Sequence, residues 1–350
     1  MTLLGIETSC DETAAALWSN GQLLANKIAS QEVHGQYGGV VPELASRAHV
    51  RLMLPIVTAA LAEAGVSKGD LEGIAVTYGP GLAGSLMVGL NFAKALALAL
   101  NAPYVGINHM EGHLFSNSVL QNGPAPPFLC LIVSGGHTWL VLVRAWGEYE
   151  IVGKTRDDAV GEAFDKVAKM LDLPYPGGPE IDKLARQGDP EAFAFPKARF
   201  KDESLDFSYS GLKTAVLYQL HELGEQERTR RKADIAASFQ KAAIDVLVEN
   251  TLAAVQKYPV EEVALAGGVA RNAYLRARMT EVCHKFGLQL HIPPPALCTD
   301  NAAMIVRAGA WYLERGVHSD FELSPVPSLG LSQPSKPMPS DRLTNPLEKL

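Results

Sequence analysis

FLCLIVSGGHTWLVLVRAWGEYEIVG, residues 128–153, reads as three short strands joined by turns. Phe128 to Val133 is an unbroken apolar run, and Ser134-Gly135-Gly136-His137-Thr138 is a small polar turn. Trp139 to Val143 makes a second apolar strand and Tyr149 to Gly153 a third. Runs of this length, rich in β-branched and aromatic residues and bounded by turn residues, favour strands. The same order occurs at the start of the chain, where residues 3–6 (LLGI), 14–17 (AAAL) and 22–25 (QLLA) are again separated by turns. The copies share an order of elements but little sequence, which predicts an internal structural duplication.

Between the copies lies Gln121-Asn122-Gly123-Pro124-Ala125-Pro126-Pro127, a stiff, non-helical connection of the kind that joins domains. Helical periodicity covers 42–64, which opens on Pro42 and stops at Gly65, and also 159–171, 233–257 and 270–286. Two buried-strand patterns, Gly73 to Thr77 and Glu262 to Ala266, each lead into a glycine-rich turn and a helix. Repeated strand–turn–helix units mean α/β architecture. The expected division is a first lobe over 1–120, a second over 127–300, and a Pro- and Ser-rich, extended tail over 326–350.

The chain has 350 residues, 47% hydrophobic and 20% charged, enough for two domains with separate cores. Met1-Thr2-Leu3 runs straight into a strand pattern with no secretory leader expected. Leu86 to Leu100 contains Asn91 and Lys94, is too short to span a bilayer and is expected as a buried helix, so no membrane partner is foreseen. Cys10, Cys130, Cys283 and Cys298 lie far apart without CxxC pairing, which suits a reducing cytoplasm and suggests neither disulfides nor a zinc ribbon. A net charge of -7 argues against coating nucleic acid by bulk electrostatics. Local basic clusters remain, at Arg228-Thr229-Arg230-Arg231-Lys232 and at Lys197, Arg199 and Lys201. Each reads either as a nucleic-acid face or as a solvated helix end.

The strongest chemical signal is His109-Met110-Glu111-Gly112-His113. Residues four apart on a helix return to one face, offset by about 40°, so both imidazoles can reach one metal. A zinc peptidase would carry its glutamate directly after the first histidine. Glu111 instead sits about 200° around the helix and points away, which disfavours peptidase chemistry. Asp300, just before an apolar helix, offers a third ligand or a helix cap. Two histidines and a carboxylate suit iron(II), zinc or manganese.

Ser134-Gly135-Gly136 and Gly267-Gly268 follow strands and match neither a Walker loop nor a Rossmann fingerprint. Each alone is an ordinary tight turn. Together, with Thr8-Ser9-Cys10 as a third, they point to a nucleotide cleft between domains. Asp11 and Glu12 lie in the turn after the first strand, where they could hold magnesium, orient an attacking amine or simply be solvated. Asp165 and Asp182 flank the rigid loop Tyr175-Pro176-Gly177-Gly178-Pro179 and could grip ribose hydroxyls, or cap and salt-bridge.

These residues coincide with the pattern of the TsaD (Gcp/YgjD) family, which the chain resembles in collinear order over about residues 1–330. The matching stretches include GIETSCDETAAAL (5–17), YGPGLAGSLMVGLNFAKALA (78–97), NHMEGHL (108–114), VSGGHT (133–138), GEAFDKVAKMLDLPYPGGPEID (161–182), AGGVARNAYLR (266–276) and CTDNAAMI (298–305). The resemblance implies duplicated RNase H-like lobes of the actin/Hsp70/sugar-kinase (ASKHA) fold, with a segment at about 301–325 returning to the first lobe. It implies that His109, His113 and Asp300 bind one divalent metal, Fe2+ ahead of Zn2+, with Mg2+ accompanying nucleotide. Ile132, Val133, Ser134, Gly135, Gly136, Asp165, Gly178, Asp182 and Asn272 would line an adenylate pocket, and Asp11, Glu12 and His137 would handle protons. The implied reaction moves threonylcarbamoyl from threonylcarbamoyl-AMP to N6 of adenosine 37 in tRNAs reading ANN codons. The implied partners are a TsaB-like paralogue, pairing through the first lobe, and a TsaE-like P-loop ATPase. A small-molecule kinase shares the fold but has no use for the paired histidines, and a non-catalytic scaffold would be expected to lack them.

Overall fold

The computed structural model describes residues 1–331 except Gly38, Gln121 and Glu203, so the expected tail lies outside the described residues from 332 onward. The chain divides into two compact units, Met1–Gly123 together with the segment from Asp300, and Pro124–Thr299.

In the first unit a meander of β1 (Thr2–Glu7), β2 (Glu12–Ser19) and β3 (Gln22–Ser30) is followed by α1 (Pro42–Ala64), β4 (Gly73–Gly79), α2 (Ala83–Leu100), β5 (Tyr104–Asn108) and α3 (His109–Phe115). The sheet order is β3-β2-β1-β4-β5. The meander pairs antiparallel, whereas β1–β4 and β4–β5 are parallel. Asn20-Gly21 makes the β2–β3 turn with φ of 50° and 81°, the two-residue connection whose twist matches a hairpin and which needs positive φ twice.

The second unit repeats this plan. Strands β6 (Phe128–Val133), β7 (Thr138–Ala145) and β8 (Glu148–Lys154) form the meander. After them come α4 (Val160–Met170), α5 (Gly177–Ala185), α6 (Ser210–Arg230), α7 (Lys232–Lys257), β9 (Glu262–Ala266), α8 (Ala273–Lys285) and β10 (Gln289–His291). The sheet order is β10-β9-β6-β7-β8, with antiparallel pairing in the meander and parallel pairing of β6 with β9 and β9 with β10. Element for element this is the first sheet again, and the duplication expected from the two strand triplets is present. Leu129, Leu131 and Val133 of β6 pack with Phe164, Ile181 and Phe239 of α4, α5 and α7 in its core.

The chain then returns to the first unit as α9 (Ala302–Leu313). Leu4 and Ile6 of β1 pack in a core with Met53 and Val57 of α1 and Leu90 of α2. Neighbouring strand residues face opposite ways, so Gly5 between them faces α9. A side chain there would lie 2.6 Å from Ala302 O, and one at Gly309 would lie 2.2 Å from Ala75 Cβ. Two missing side chains thus let α9 seat directly on the central strands, and that seating fixes where Asp300 stands.

Three expectations change. Leu86 to Leu100 is not a wholly buried helix: α2 spans 18 residues, buries a stripe through Leu86, Leu90, Ala93 and Ala97, and leaves Met87 exposed. Both α1 and α2 are long and apolar enough to cross a membrane by length and composition, but α1 packs on β2 and β3 and α2 on β4. Gly177-Gly178-Pro179 is not a loop but the first turn of α5, where a proline lacks no needed donor. The helix expected over 270–286 begins at Ala273, because Asn272 caps it by accepting from Leu275 N at 2.9 Å.

Candidate functional site

Asn108, the last residue of β5, opens α3 as its N-cap, its Oδ1 accepting from the backbone N–H of Met110 at 2.9 Å and of Glu111 at 3.4 Å. The cap fixes the helix phase at its start and sends His109 and His113 to the same side. Gly112 lets α9 approach between them, since a side chain there would meet Ile305 Cδ1 at 2.7 Å. That approach brings in Asp300, whose Oδ1 lies 3.5 Å from His109 Nε2 and 3.3 Å from His113 Nε2. One ligand atom from each of the three residues falls within 4.8 Å of the others.

His113 is fully buried, and among the described residues neither ring nitrogen has a hydrogen-bond partner. The 3.3 Å approach to Asp300 is close but is not aligned as a hydrogen bond. A buried polar atom left in this way costs about 1–3 kcal/mol, so the ring needs something the side chains around it do not supply. A divalent cation shared with His109 and Asp300 would meet that need at Nε2, and two imidazoles with one carboxylate suit iron(II) or zinc. Asp300 is not the cap of α9: Asn301 is, accepting from Met304 N at 3.0 Å. Glu111 is buried and accepts the Tyr312 hydroxyl at 2.7 Å, so it is held by α9.

Negative charge is crowded around this cluster. Burial, then Asp300, Asp11 and Glu7, push the Glu12 carboxyl up to about 10. Burial pulls His109 down, but Asp300 and Glu7 outweigh it and raise the ring to about 9. A cation relieves such crowding, as opposite charge favours the ionised form of each carboxylate. The turn carrying Asp11, and the start of β2 at Glu12, are pinned by His49 of α1. Its Nε2 donates to Cys10 O at 2.9 Å, and the Thr13 hydroxyl donates to its Nδ1 at 2.8 Å. Sequence reasoning assigned no role to His49 or Glu7. A charged residue closing an otherwise apolar, buried strand was the available signal for Glu7, because such a residue is rarely buried unpaired.

In the second unit, β6 ends in the turn Ser134 to His137, closed by Ser134 N donating to His137 O at 2.8 Å and His137 N donating to Ser134 Oγ at 3.1 Å. Ile132 and Val133 are fully buried, so what this strand end offers a ligand is backbone rather than those side chains. The glycines differ in what surrounds them. Gly161 and Gly267 are packed, where a side chain would lie 2.5 Å from Ser134 O and 2.3 Å from Val133 O respectively. Among the described residues, nothing lies within 4 Å of where a Cβ would stand at Gly135, Gly136 or Gly178. Asp165 accepts from Gly177 N at 2.7 Å and also from Gly178 N, so it caps α5. Asp182 pairs with Arg186 at 2.9 Å through Oδ2, while its Oδ1 is buried without a partner among the described residues. It lines a cavity of about 240 Å3 beside Arg186, Gln240, Ala273 and Tyr274. Asn272 is committed at both ends, since Nδ2 donates to Gln240 Oε1 at 2.8 Å while Oδ1 caps α8. His137 stands on the turn with its ring edge-on to Trp139, centroids 4.8 Å apart.

Both basic clusters are partly neutralised. Lys197 pairs with Asp245 and Glu249, Arg230 with Glu227, and Arg231 with Asp234.

The family model described as TsaD, tRNA N6-adenosine threonylcarbamoyltransferase, matches residues 22–307. The chain belongs to the TsaD family. Among its relatives, the tRNA N6-adenosine threonylcarbamoyltransferase of Clostridium botulinum is 49% identical over 335 residues, 95% of this chain and 98% of that one. The Clostridium beijerinckii enzyme of the same name is 50% identical over 333 residues, again 95% and 98%. As a TsaD-family member the chain is an acyltransferase of N6-threonylcarbamoyladenosine biosynthesis, with tRNA as a substrate. Solved structures that resemble it do so in fold alone. HypF of T. kodakarensis superposes with a TM-score of 0.61 at 16% identity, over 90% of this chain and 48% of that one. The ROK hexokinase of Thermus thermophilus gives 0.51 at 16%, over 90% and 99%. These neighbours and the two matching sheets establish the duplicated ASKHA-type fold for this TsaD-family chain.

Proposed function

We propose that the chain transfers threonylcarbamoyl from threonylcarbamoyl-AMP to N6 of adenosine 37 in tRNAs reading ANN codons, with AMP leaving. The observation that carries this reading is the His109–His113–Asp300 cluster, with both histidines buried and Asp300 half-buried, for which a kinase on the same fold has no task. The donor is a mixed anhydride. The N6 amine attacks the carbamoyl carbon, the carbon–oxygen bond to phosphate breaks, a urea forms, AMP departs and one N6 proton is lost. A poor nucleophile meeting an activated acyl donor mainly needs positioning and a stabilised oxyanion.

In the second unit the open turn at Gly135 and Gly136 receives the adenylate phosphate, since Asp165 already takes the amides of Gly177 and Gly178. A ribose hydroxyl supplies the donor that Asp182 Oδ1 lacks. Gly178 and Asn272 shape the pocket through the helices they begin. Asp11, Glu12 and His137 are the groups that take up the N6 proton. His109, His113 and Asp300 would hold the divalent metal, Fe2+ before Zn2+, and Mg2+ would accompany the nucleotide. Such an ion supplies positive charge to a developing oxyanion or a carboxylate. The proposed place of the work is the cytoplasm, which suits a tRNA substrate. With purified donor, transfer should release one AMP for each modified nucleoside and only when tRNA is present. AMP release without tRNA, or phosphorylation of a small molecule, would contradict the proposal.

A TsaB-like paralogue docks on the first unit through the outer face of α1 and α2, and a TsaE-like P-loop ATPase joins that complex. Val50, Leu54 and Met87 are 67%, 64% and 51% exposed there. Val50 and Met87 line a groove of about 400 Å3 together with Met53 and Phe92. Apolar side chains clustered in this way mark a binding surface. Leu54→Asp with Met87→Asp should weaken the paralogue complex about 100-fold, at roughly 1.5 kcal/mol per lost anchor. Size-exclusion chromatography reads the loss, and zinc binding by the chain alone should be unchanged.

A further inference from the structure

Glu7 closes β1, the central strand of the first sheet, and its side chain is fully buried. A carboxylate in that position costs several kcal/mol unless its oxygens are satisfied, and both are. Oε1 accepts from Ser9 N at 2.5 Å. Oε2 accepts from the Thr77 hydroxyl at 2.5 Å and lies 3.1 Å from His109 Nδ1. Ser9 Oγ is also 3.1 Å from Nδ1. Thr77 belongs to β4, the parallel neighbour of β1, so the arrangement is built into sheet register rather than into a loop.

An ionised carboxylate can only accept hydrogen bonds. Facing Glu7, His109 Nδ1 must carry a proton, and the lone pair available to a cation is then on Nε2. Nε2 is the atom turned to Asp300. We propose that Glu7 is the positioning residue of the metal centre, holding His109 as a ring protonated on Nδ1 with Nε2 presented to the cation. This rests on reading His109, His113 and Asp300 as the ligands. Among the described residues His113 has no counterpart to Glu7, because its Nδ1 is buried without a partner there. Of the two imidazoles, His109 is therefore the one oriented in advance.

Glu7→Gln in the full chain tests the proposal. Whichever way the new amide turns, either Ser9 N–H or His109 Nδ1–H faces another donor. Zinc affinity, measured by competition with a chromophoric chelator, should fall about 10–100-fold, the range for loss of such a supporting carboxylate. His109→Ala is run alongside as the loss of a ligand. Zinc affinity equal in Glu7→Gln and wild type, with His109→Ala much weaker, would overturn the role of Glu7 and leave the ligand set standing. Wild type binding zinc no better than His109→Ala would overturn both. Should Glu7→Gln not fold, nitrogen-15 NMR of zinc-loaded wild type decides alone. A downfield, slowly exchanging Nδ1–H with Nε2 on the metal supports the proposal, and coordination through Nδ1 contradicts it.

Discussion

His113→Leu should leave the metal-free protein at least as stable as wild type, by about 0–1 kcal/mol, while abolishing its function. Most substitutions at a fully buried residue destabilise, so the sign is the informative part. Both ring nitrogens of His113 are buried without hydrogen bonds among the described residues, a cost that leucine removes while filling similar space. The loss should appear only when metal is added. Wild type at zinc concentrations about 100 times the dissociation constant gains roughly 2.7 kcal/mol by mass action, and the variant should gain none. Transfer to tRNA should fall by about 10²–10³-fold, as when a group stabilising developing charge is deleted. Urea melts with chelator and with zinc separate these effects. A variant destabilised equally in both conditions would mean that His113 is a packing residue.

Gly136→Val should do the reverse of what a buried glycine substitution does. No described residue stands within 4 Å of the position its Cβ would take, and its backbone is not in the left-handed region. Stability should therefore change by no more than about 0.5 kcal/mol. The isopropyl group would instead occupy the space over the Ser134–His137 turn, where the adenylate phosphate is proposed to lie. Calorimetry should show binding of threonylcarbamoyl-AMP lost, and transfer should fall about 100-fold, since displacement of a reactant by about 1 Å is enough for that. Unchanged donor binding would move the phosphate site away from this turn.

The parts of the molecule legible in sequence are those written in local pattern. The two strand triplets, each an apolar run broken by turn residues, announce the duplication because strand period and turn chemistry are both short-range. The spacing of His109 and His113 likewise depends only on helix geometry. What escapes is pairing over distance. Glu7 meets His109 across 102 residues and Glu111 meets Tyr312 across 201, and no local period carries either contact. In sequence Asp300 reads equally as a metal ligand and as the cap of α9. Only the approach of α9 to α3 at Gly112 gives the cap to Asn301 and sends Asp300 to the histidines. The division of the glycines into packed and open ones is three-dimensional in the same sense, since Gly161 and Gly136 look alike in sequence.

The most direct test is single-turnover transfer from threonylcarbamoyl-AMP to an unmodified ANN-decoding tRNA, with metal, paralogue and ATPase partner supplied. Wild type and His113→Leu are run side by side and nucleosides are read by mass spectrometry. The account predicts threonylcarbamoyl on adenosine 37 with wild type and almost none with the variant. Equal product from both would remove the metal centre from the reaction, and no product from wild type would contradict the transferase assignment itself.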